Sequence, residues 1–307
     1  MPIPNKVTIR KGGKDLETRI TLGSSAEASK LAPDLVGKIS LAVTSPPYHN
    51  AINYKDHAKD PTANYRSRYS QDYANEYMTL LNSIWDETHA MLKEGGYFAV
   101  NVGSVLDGGY HYPLGEDIIS ELVKDNKWEY VRTIYWNKVT AGVKRAGSVI
   151  QHPYPSYWHP NIMTEHIILV RKHGPVRLPN SDVPKEWLQT VWDLAPVPPK
   201  SVNHPAPYPE DLPHRLIRMF TDENDWVLDP FNGAGATSKA ATDLGRSCLG
   251  FDIEKKYVAL AKARLKQSSS VREKQLTVQP VHAKDFIAGP SRGKTRHGAG
   301  LGARKNK

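Results

Sequence analysis

The chain has 307 residues, 39% of them hydrophobic, and a formal net charge of +9. This length suits one large α/β domain with insertions, or two modest domains. No apolar run approaches the roughly 18 residues of a membrane-spanning helix, and the segment from Met1 to Lys6 has no hydrophobic core of a signal peptide, so a cytoplasmic protein without a membrane partner is expected. The single cysteine, Cys248, excludes an intramolecular disulfide and a multi-cysteine zinc site, and no metal is expected.

Residues 1–15 are polar and read as a peripheral segment. Thr18 to Gly23 reads as a short strand leading to a helix near 25–31. The aliphatic run from Ile39 to Val43 reads as a buried strand. Pro46 and Pro47 stop it, because neither can donate to a ladder and each fixes its own φ. The Ser45 hydroxyl, the Pro46 carbonyl and the Tyr48 ring are thus held at the carboxyl end of a strand, the edge where open α/β sheets place ligands. The set suits a flat heterocycle with an exocyclic amino group: Tyr48 can stack on the ring while Ser45 Oγ and the Pro46 carbonyl accept the two amino hydrogens.

Residues 49–70 mix aromatics and cations without periodicity and read as a loop, in which Asn53, Arg66 and Arg68 are candidates for holding DNA. From Gln71 to Lys93 apolar residues recur at helical spacing, with a Tyr/Trp stripe expected to face the core and Gly95-Gly96 expected to end the helix. Tyr97 to Val102 reads as a buried strand, followed by a helix near 114–125, a strand near 128–136 and another at Ile167 to Val170. Two proline-bearing stretches interrupt the alternation, 139–163, with Lys144 and Arg145 as further DNA candidates, and 173–209. Long irregular segments of this kind are functional loops or linkers more often than core. Strands alternating with helices argue for a mainly parallel sheet.

The second half repeats a strand, a glycine turn and a helix. Trp226 to Leu228 reads as a strand running into Asp229-Pro230-Phe231-Asn232-Gly233-Ala234-Gly235-Ala236-Thr237, and Thr237 to Leu244 as the next helix. Gly233 and Gly235 let the backbone approach a ligand closely, and the helix amino terminus favours an anionic group. Ser247 to Phe251 is another strand, ending at Asp252, an acid placed to accept hydrogen bonds from ribose hydroxyls. Glu254 to Lys262 then forms an amphipathic helix. A dinucleotide-binding fold would share this layout, but Ser238 stands where the third glycine of G-x-G-x-x-G would fall.

Two motifs carry a resemblance. Ser45-Pro46-Pro47-Tyr48 resembles the catalytic motif of the DNA amino-methyltransferases, and Asp229-Pro230-Phe231-x-Gly233-x-Gly235-x-Thr237 resembles the S-adenosylmethionine loop of the same family. Catalytic motif first and cofactor motif last resembles the permuted, β class, over roughly residues 16–267. The resemblance implies an α/β, Rossmann-like S-adenosylmethionine-dependent methyltransferase fold with a central mixed sheet, helices on both faces and a small inserted target-recognition region within 49–70, 139–163 and 173–203. It implies that Asp229, Gly233 and Gly235 surround the methionine moiety and that Asp252 meets the ribose, with Pro230, Phe231, Asn232 and Thr237 as further cofactor-binding residues, and that the segment from Pro205 to Pro209, including Pro207, lines the cofactor pocket. Gly23-Ser24 stands where many relatives have Gly-Asp, which removes an acidic cofactor contact there. The implied partners are double-stranded DNA and a cognate restriction endonuclease, and dimers occur among similar enzymes.

The implied reaction is methyl transfer from S-adenosylmethionine to an exocyclic amino group of a base taken out of the duplex. Ser45 resembles the cytosine-N4 enzymes, whereas adenine-N6 enzymes more often carry Asp or Asn there, so cytosine N4 is favoured and adenine N6 is the alternative. A covalent base adduct needs a cysteine nucleophile, and Cys248 lies on an expected buried strand far from any Pro-Cys pair. A nicotinamide-dependent oxidoreductase would leave the Ser-Pro-Pro-Tyr loop incidental. A non-catalytic DNA-binding module would explain the charge but not the two motifs. Between Ser268 and Lys307, nine Lys/Arg against two Asp/Glu give +7, leaving about +2 for the rest. This Gly-, Ser- and Arg-rich tail reads as disordered, with loose, salt-sensitive attraction to phosphates.

Overall fold

The computed structural model describes residues 6–11, 14–47, 77–107, 110–138, 163–197 and 208–268. The strands in chain order are β1 (Lys6–Lys11), β2 (Lys14–Leu22), β3 (Ile39–Thr44), β4 (Leu92–Val102), β5 (Val105–Asp107), β6 (Tyr110–Tyr112), β7 (Trp128–Asn137), β8 (Thr164–Lys172), β9 (Val191–Asp193), β10 (Trp226–Asp229) and β11 (Ser247–Asp252). The helices are α1 (Ala28–Leu31), α2 (Met78–Met91), α3 (Leu114–Val123), α4 (Asp211–Phe220), α5 (Ala236–Asp243) and α6 (Lys255–Ser268).

Nine strands form one sheet in the order β1-β2-β11-β10-β3-β4-β8-β7-β9, and β5 and β6 form a separate hairpin. The five strands from β2 to β4 are mutually parallel, β8 runs antiparallel between β4 and β7, and β9 lies parallel to β7. The sheet is therefore mixed. From β10 the chain order steps outward to β11 on one side, and from β3 to β4 on the other. The β3/β10 seam is thus the point where the winding reverses, and there an open α/β sheet leaves a crevice at the carboxyl ends of its strands.

Every residue of β3 is buried, which is why its sequence is a continuous apolar run rather than an alternation. Ile39 and Ala42 pack with Leu81, Ile84, Trp85, Met91 and Ile118 of α2 and α3 on one face. Leu41 and Val43 pack with Leu212, Leu216, Ile217, Phe220, Ala240 and Ala241 of α4 and α5 on the other. A smaller cluster of Ile20, Val258, Ala261 and Leu265 fixes α6 against β2. Among the described residues no helix is long and apolar enough to cross a membrane.

Several elements differ from the sequence expectation for identifiable reasons. The aromatic stripe of α2 is core, with Trp85 and Phe98 ring centroids 5.1 Å apart. However, α2 stops at Met91 rather than at Gly95-Gly96. Its stop comes from β8: Lys172 Nζ donates to the His89 and Leu92 carbonyls, each at 2.9 Å, and satisfies the open end of the helix. The strand then begins at Leu92 and carries Gly95 inside it at φ 71°. Residues 25–31 form a 3-10 turn followed by one α-helical turn. The proline-rich stretch 173–209 contains a short 3-10 helix at Lys185–Leu188 and the edge strand β9. Within 1–15, Lys6–Lys11 pairs antiparallel with β2 at the sheet margin.

Gly95 supplies a graded stability test. A Cβ there would lie 2.1 Å from the Pro175 carbonyl oxygen, whereas Gly37, also left-handed at φ 69°, has open space around it. Gly37→Ala is expected to cost about 1 kcal/mol for the backbone alone, and Gly95→Ala roughly 3 kcal/mol or more, because the backbone must also shift. Urea unfolding of the two variants checks this, and equal costs would contradict it.

Candidate active site

The site is assembled around two strand ends. Thr44 closes β3 and Asp229 closes β10, and these strands are parallel neighbours with Leu228 opposite Ala42. Thr44 Oγ1 donates to Asp229 Oδ1 at 2.7 Å. The Phe231 amide donates to the same oxygen at 3.1 Å, and the Tyr208 hydroxyl donates to Oδ2 at 3.3 Å. The Tyr208 and Thr237 hydroxyls share a short hydrogen bond, and the Thr237 hydroxyl also bonds to the Asp229 carboxyl. Asp229 is 1% exposed. Burial raises its carboxyl above the ordinary range, and burial beside that carboxyl holds the Tyr208 phenol well above its own. A carboxyl this deep is tolerable only because hydrogen bonds from Thr237, Thr44, Phe231 and Tyr208 meet it.

Ser45, Pro46 and Pro47 follow Thr44 directly, half-buried, buried and half-buried in turn. The Pro47 carbonyl accepts the Tyr77 hydroxyl at 2.8 Å, so the residue just before α2 holds the end of the motif. Tyr48, Asn53, Arg66, Arg68, Lys144, Arg145 and Pro207 lie outside the described residues.

On the other side of the seam, the loop after β10 folds tightly over the end of β11. The Asn232 amide donates to the Phe251 carbonyl at 2.8 Å, and its side chain takes the Ser238 hydroxyl in a short hydrogen bond. Gly250 makes room for it, since a Cβ at 250 would sit 2.6 Å from Asn232 Cγ. Gly233 and Gly235 adopt φ 47° and 79°, and a Cβ on Gly235 would come within 2.9 Å of Ala261 Cβ in α6. Arg264 of α6 donates to the Ala234 carbonyl at 3.2 Å and pairs with Glu210.

Asp252, at the end of β11, accepts the Gly233 amide on Oδ2 at 2.9 Å and the Glu254 amide on Oδ1 at 2.8 Å. Burial pushes its carboxyl up to about 6 despite those bonds. Phe231 meets Trp85 edge-on, with ring centroids 6.4 Å apart. Cys248 is fully buried and donates to Ser238 Oγ at 3.4 Å; burial pushes its thiol up to about 12, which leaves no thiolate for nucleophilic chemistry.

The structure therefore brings Ser45, Pro46 and Pro47 to the same sheet edge as Asp229, Asn232, Gly233, Gly235, Thr237 and Asp252. It also gives roles that the sequence did not assign: Thr44, ahead of Ser45, and Tyr208, in the segment expected to line the cofactor pocket, bond to Asp229, and Tyr77, expected as core, bonds to Pro47. Each works through a hydroxyl on a residue that reads as strand, proline-segment or helix core, and no local spacing marks a contact across 185 positions such as Thr44 to Asp229.

A mixed sheet with a glycine loop after β10 and a Pro-Pro motif after β3 defines the Rossmann-like methyltransferase fold in its permuted motif order. The N6/N4 methyltransferase family model, described as DNA methylase, matches residues 39–263, and the chain belongs to this family. The Type II methyltransferase M.MthZI of Methanothermobacter thermautotrophicus is 27% identical over 280 residues, covering 81% of this chain and 77% of that protein. TTHA0409 of Thermus thermophilus, in complex with S-adenosyl-L-methionine, superposes with a TM-score of 0.62 at 28% identity, covering 83% of this chain and 97% of that one. The cytosine-N4-specific PvuII DNA methyltransferase shares the fold, with a TM-score of 0.63 at 18% identity over 84% of this chain and 87% of that one.

The Asp252 carboxyl makes the unliganded protein pH-sensitive in a defined direction. Its folded value of about 6 lies above the ordinary 3.8. The stability it contributes is therefore full below about pH 4 and is lost as pH rises through about 6. Asp252→Asn is expected to flatten the slope of unfolding free energy in that window, measured by urea unfolding at about pH 4, 5 and 7. An unchanged slope would contradict the assignment.

Proposed function

We propose that this chain transfers a methyl group from S-adenosylmethionine to the exocyclic N4 of cytosine in duplex DNA, with the target base turned out of the helix. The observation that carries this reading is the 2.7 Å bond between Thr44 and Asp229, which ties the strand of Ser45-Pro46-Pro47 to the strand of the glycine loop. The TTHA0409 complex supports the choice of cofactor. The Type II methyltransferase M.MthZI supports a restriction–modification setting, with a companion endonuclease acting on the same DNA.

The residues present fit that cofactor. Gly233 and Gly235 leave the loop without side chains at left-handed turns. The amino terminus of α5, beginning at Ala236, suits a carboxylate. Asn232 Nδ2 and Glu254 Oε1 are buried polar atoms with no hydrogen-bond partner among the described residues, as expected beside a polar ligand that completes them. Asp252 keeps a second lone pair on each oxygen for ribose hydroxyls. When bound, the cofactor supplies a methyl group already activated on a sulfonium. Asp229, with its oxygens taken by Thr44, Thr237, Tyr208 and Phe231, acts on the loop's shape rather than as an open ligand.

The remaining work is done by this chain's own groups. The amino nitrogen of cytosine is a poor nucleophile because its lone pair is delocalised into the ring. Ser45 Oγ and the Pro46 carbonyl accept its two hydrogens and draw it toward tetrahedral geometry, which frees the pair for transfer. Tyr48 clamps the ring, and Asn53, Arg66, Arg68, Lys144 and Arg145 hold the DNA backbone. Adenine N6 is the second reading. A hydroxyl at position 45 favours cytosine, because a carboxylate or amide there would reach farther and suit a larger purine pocket.

Transfer from labelled S-adenosylmethionine to unmodified plasmid DNA, followed by nucleoside mass analysis, is the test. N4-methylcytosine is expected, and Ser45→Ala is expected to lower the rate about a hundredfold while cofactor affinity stays within about twofold. N6-methyladenine would move the assignment to the second reading. Absence of any methylated nucleoside would overturn both.

A further inference from the structure

Three helices meet on one carboxylate behind the glycine loop. Glu210 follows the segment from Pro205 to Pro209 directly and stands at the head of α4. Its carboxylate pairs with Lys239 Nζ of α5 at 3.0 Å and with the Arg264 guanidinium of α6. Lys239 also pairs with Asp243, one turn further along α5, at 2.6 Å. Burial raises the Glu210 carboxyl, yet Arg264 and Lys239 together hold it below the ordinary range.

Arg264 has a second partner. While its Nη2 meets Glu210, its Nη1 donates to the Ala234 carbonyl at 3.2 Å. Ala234 lies between Gly233 and Gly235, both left-handed. The other end of the same peptide unit is also fixed, since the Gly235 amide donates to the Asn232 carbonyl at 2.8 Å. Ala261, one turn before Arg264 in α6, lies against Gly235, where a Cβ would come within 2.9 Å of it. Two glycines give a loop close access to a ligand but leave its backbone free to take other shapes. The fork of an arginine can hold a backbone carbonyl and a carboxylate at once. Partly exposed ion pairs contribute little to the free energy of unfolding. What this one fixes is the spacing between the glycine loop, α6 and the head of α4.

We infer that Arg264, braced by Glu210, is a positioning residue for the cofactor: it holds the Ala234 peptide against α6 and keeps the glycine loop in the shape that receives S-adenosylmethionine. The inference rests on the proposed binding of the cofactor at this loop. It makes a residue of α6 a determinant of cofactor affinity through the loop's backbone, with no contact to the base required.

Calorimetric titration of the full chain with S-adenosylmethionine, read beside methyl transfer to plasmid DNA and urea unfolding, is the test. Arg264→Ala is expected to raise the dissociation constant and the KM for the cofactor about tenfold, while kcat at saturating cofactor stays within about twofold. Its urea midpoint is expected to move by less than about 0.5 M. Arg264→Lys keeps the charge and gives up the fork. It is expected to leave the dissociation constant raised about threefold or more, and it carries the test should Arg264→Ala fail to fold. Glu210→Gln is expected to raise the constant about threefold, and to add less than about twofold once residue 264 is alanine, because the arm it braces is gone. Losses that multiply fully would show Glu210 acting apart from Arg264 and overturn the brace. Cofactor affinity within about twofold of wild type in both Arg264 variants would overturn the inference alone, whatever happens to stability. A wild-type chain that binds no S-adenosylmethionine would overturn the reading of the loop and the inference with it.

Discussion

The hydrogen bond from Thr44 to Asp229 holds together two segments 185 residues apart in sequence, one leading to Ser45 and the other to the glycine loop. The two residues end adjacent parallel strands, at the point where the winding of the sheet reverses. Without that bond the buried Asp229 carboxyl would lose one of its hydrogen-bond donors, a change worth about 1–3 kcal/mol. With it, the backbone that leaves β3 toward Ser45 and the backbone that leaves β10 toward Gly233 have a fixed separation. A reaction that depends chiefly on positioning needs such a constraint.

The same edge uses buried acids in two ways. Asp229 is closed off by hydroxyls and an amide, and its environment favours a stable junction. Asp252 is braced by two backbone amides, and burial pushes its carboxyl up to about 6. A group held in that range gains from a ligand that donates hydrogen bonds to its charged form. The folded chain thus carries an energetic cost at Asp252 that, in the proposed function, the ribose hydroxyls of the cofactor relieve.

Much of this arrangement was legible in the sequence, because its signals are local. Continuous apolar runs marked β3, β10 and β11, the two prolines marked the end of β3, and Gly233 and Gly235 marked the loop at left-handed turns. Element ends were less legible where a distant residue sets them. The stop of α2 belongs to Lys172 in β8, and no periodicity within residues 71–93 carries that information. Hydroxyls were the least legible part of the site. Thr44 stands directly before Ser45, Tyr208 lies in the segment expected to line the cofactor pocket and Tyr77 reads as one member of a core stripe, and for none of them does the sequence name the partner of the hydrogen bond that shapes the edge. Thr, Tyr and Ser fit cores and polar networks equally well, so only their partners separate the two roles.

The end of β3 before Ser45 and the glycine loop after β10 form one mechanical unit joined at Thr44 and Asp229, and in the proposed function they hold the base and the cofactor. Calorimetric titration of Thr44→Val with S-adenosylmethionine tests it most directly, because valine keeps the shape of threonine and removes only the hydroxyl. The account predicts a dissociation constant raised about tenfold or more, as expected for loss of a hydrogen bond to a buried acid, although residue 44 belongs to the catalytic strand. Unchanged cofactor affinity in a folded Thr44→Val protein would contradict it.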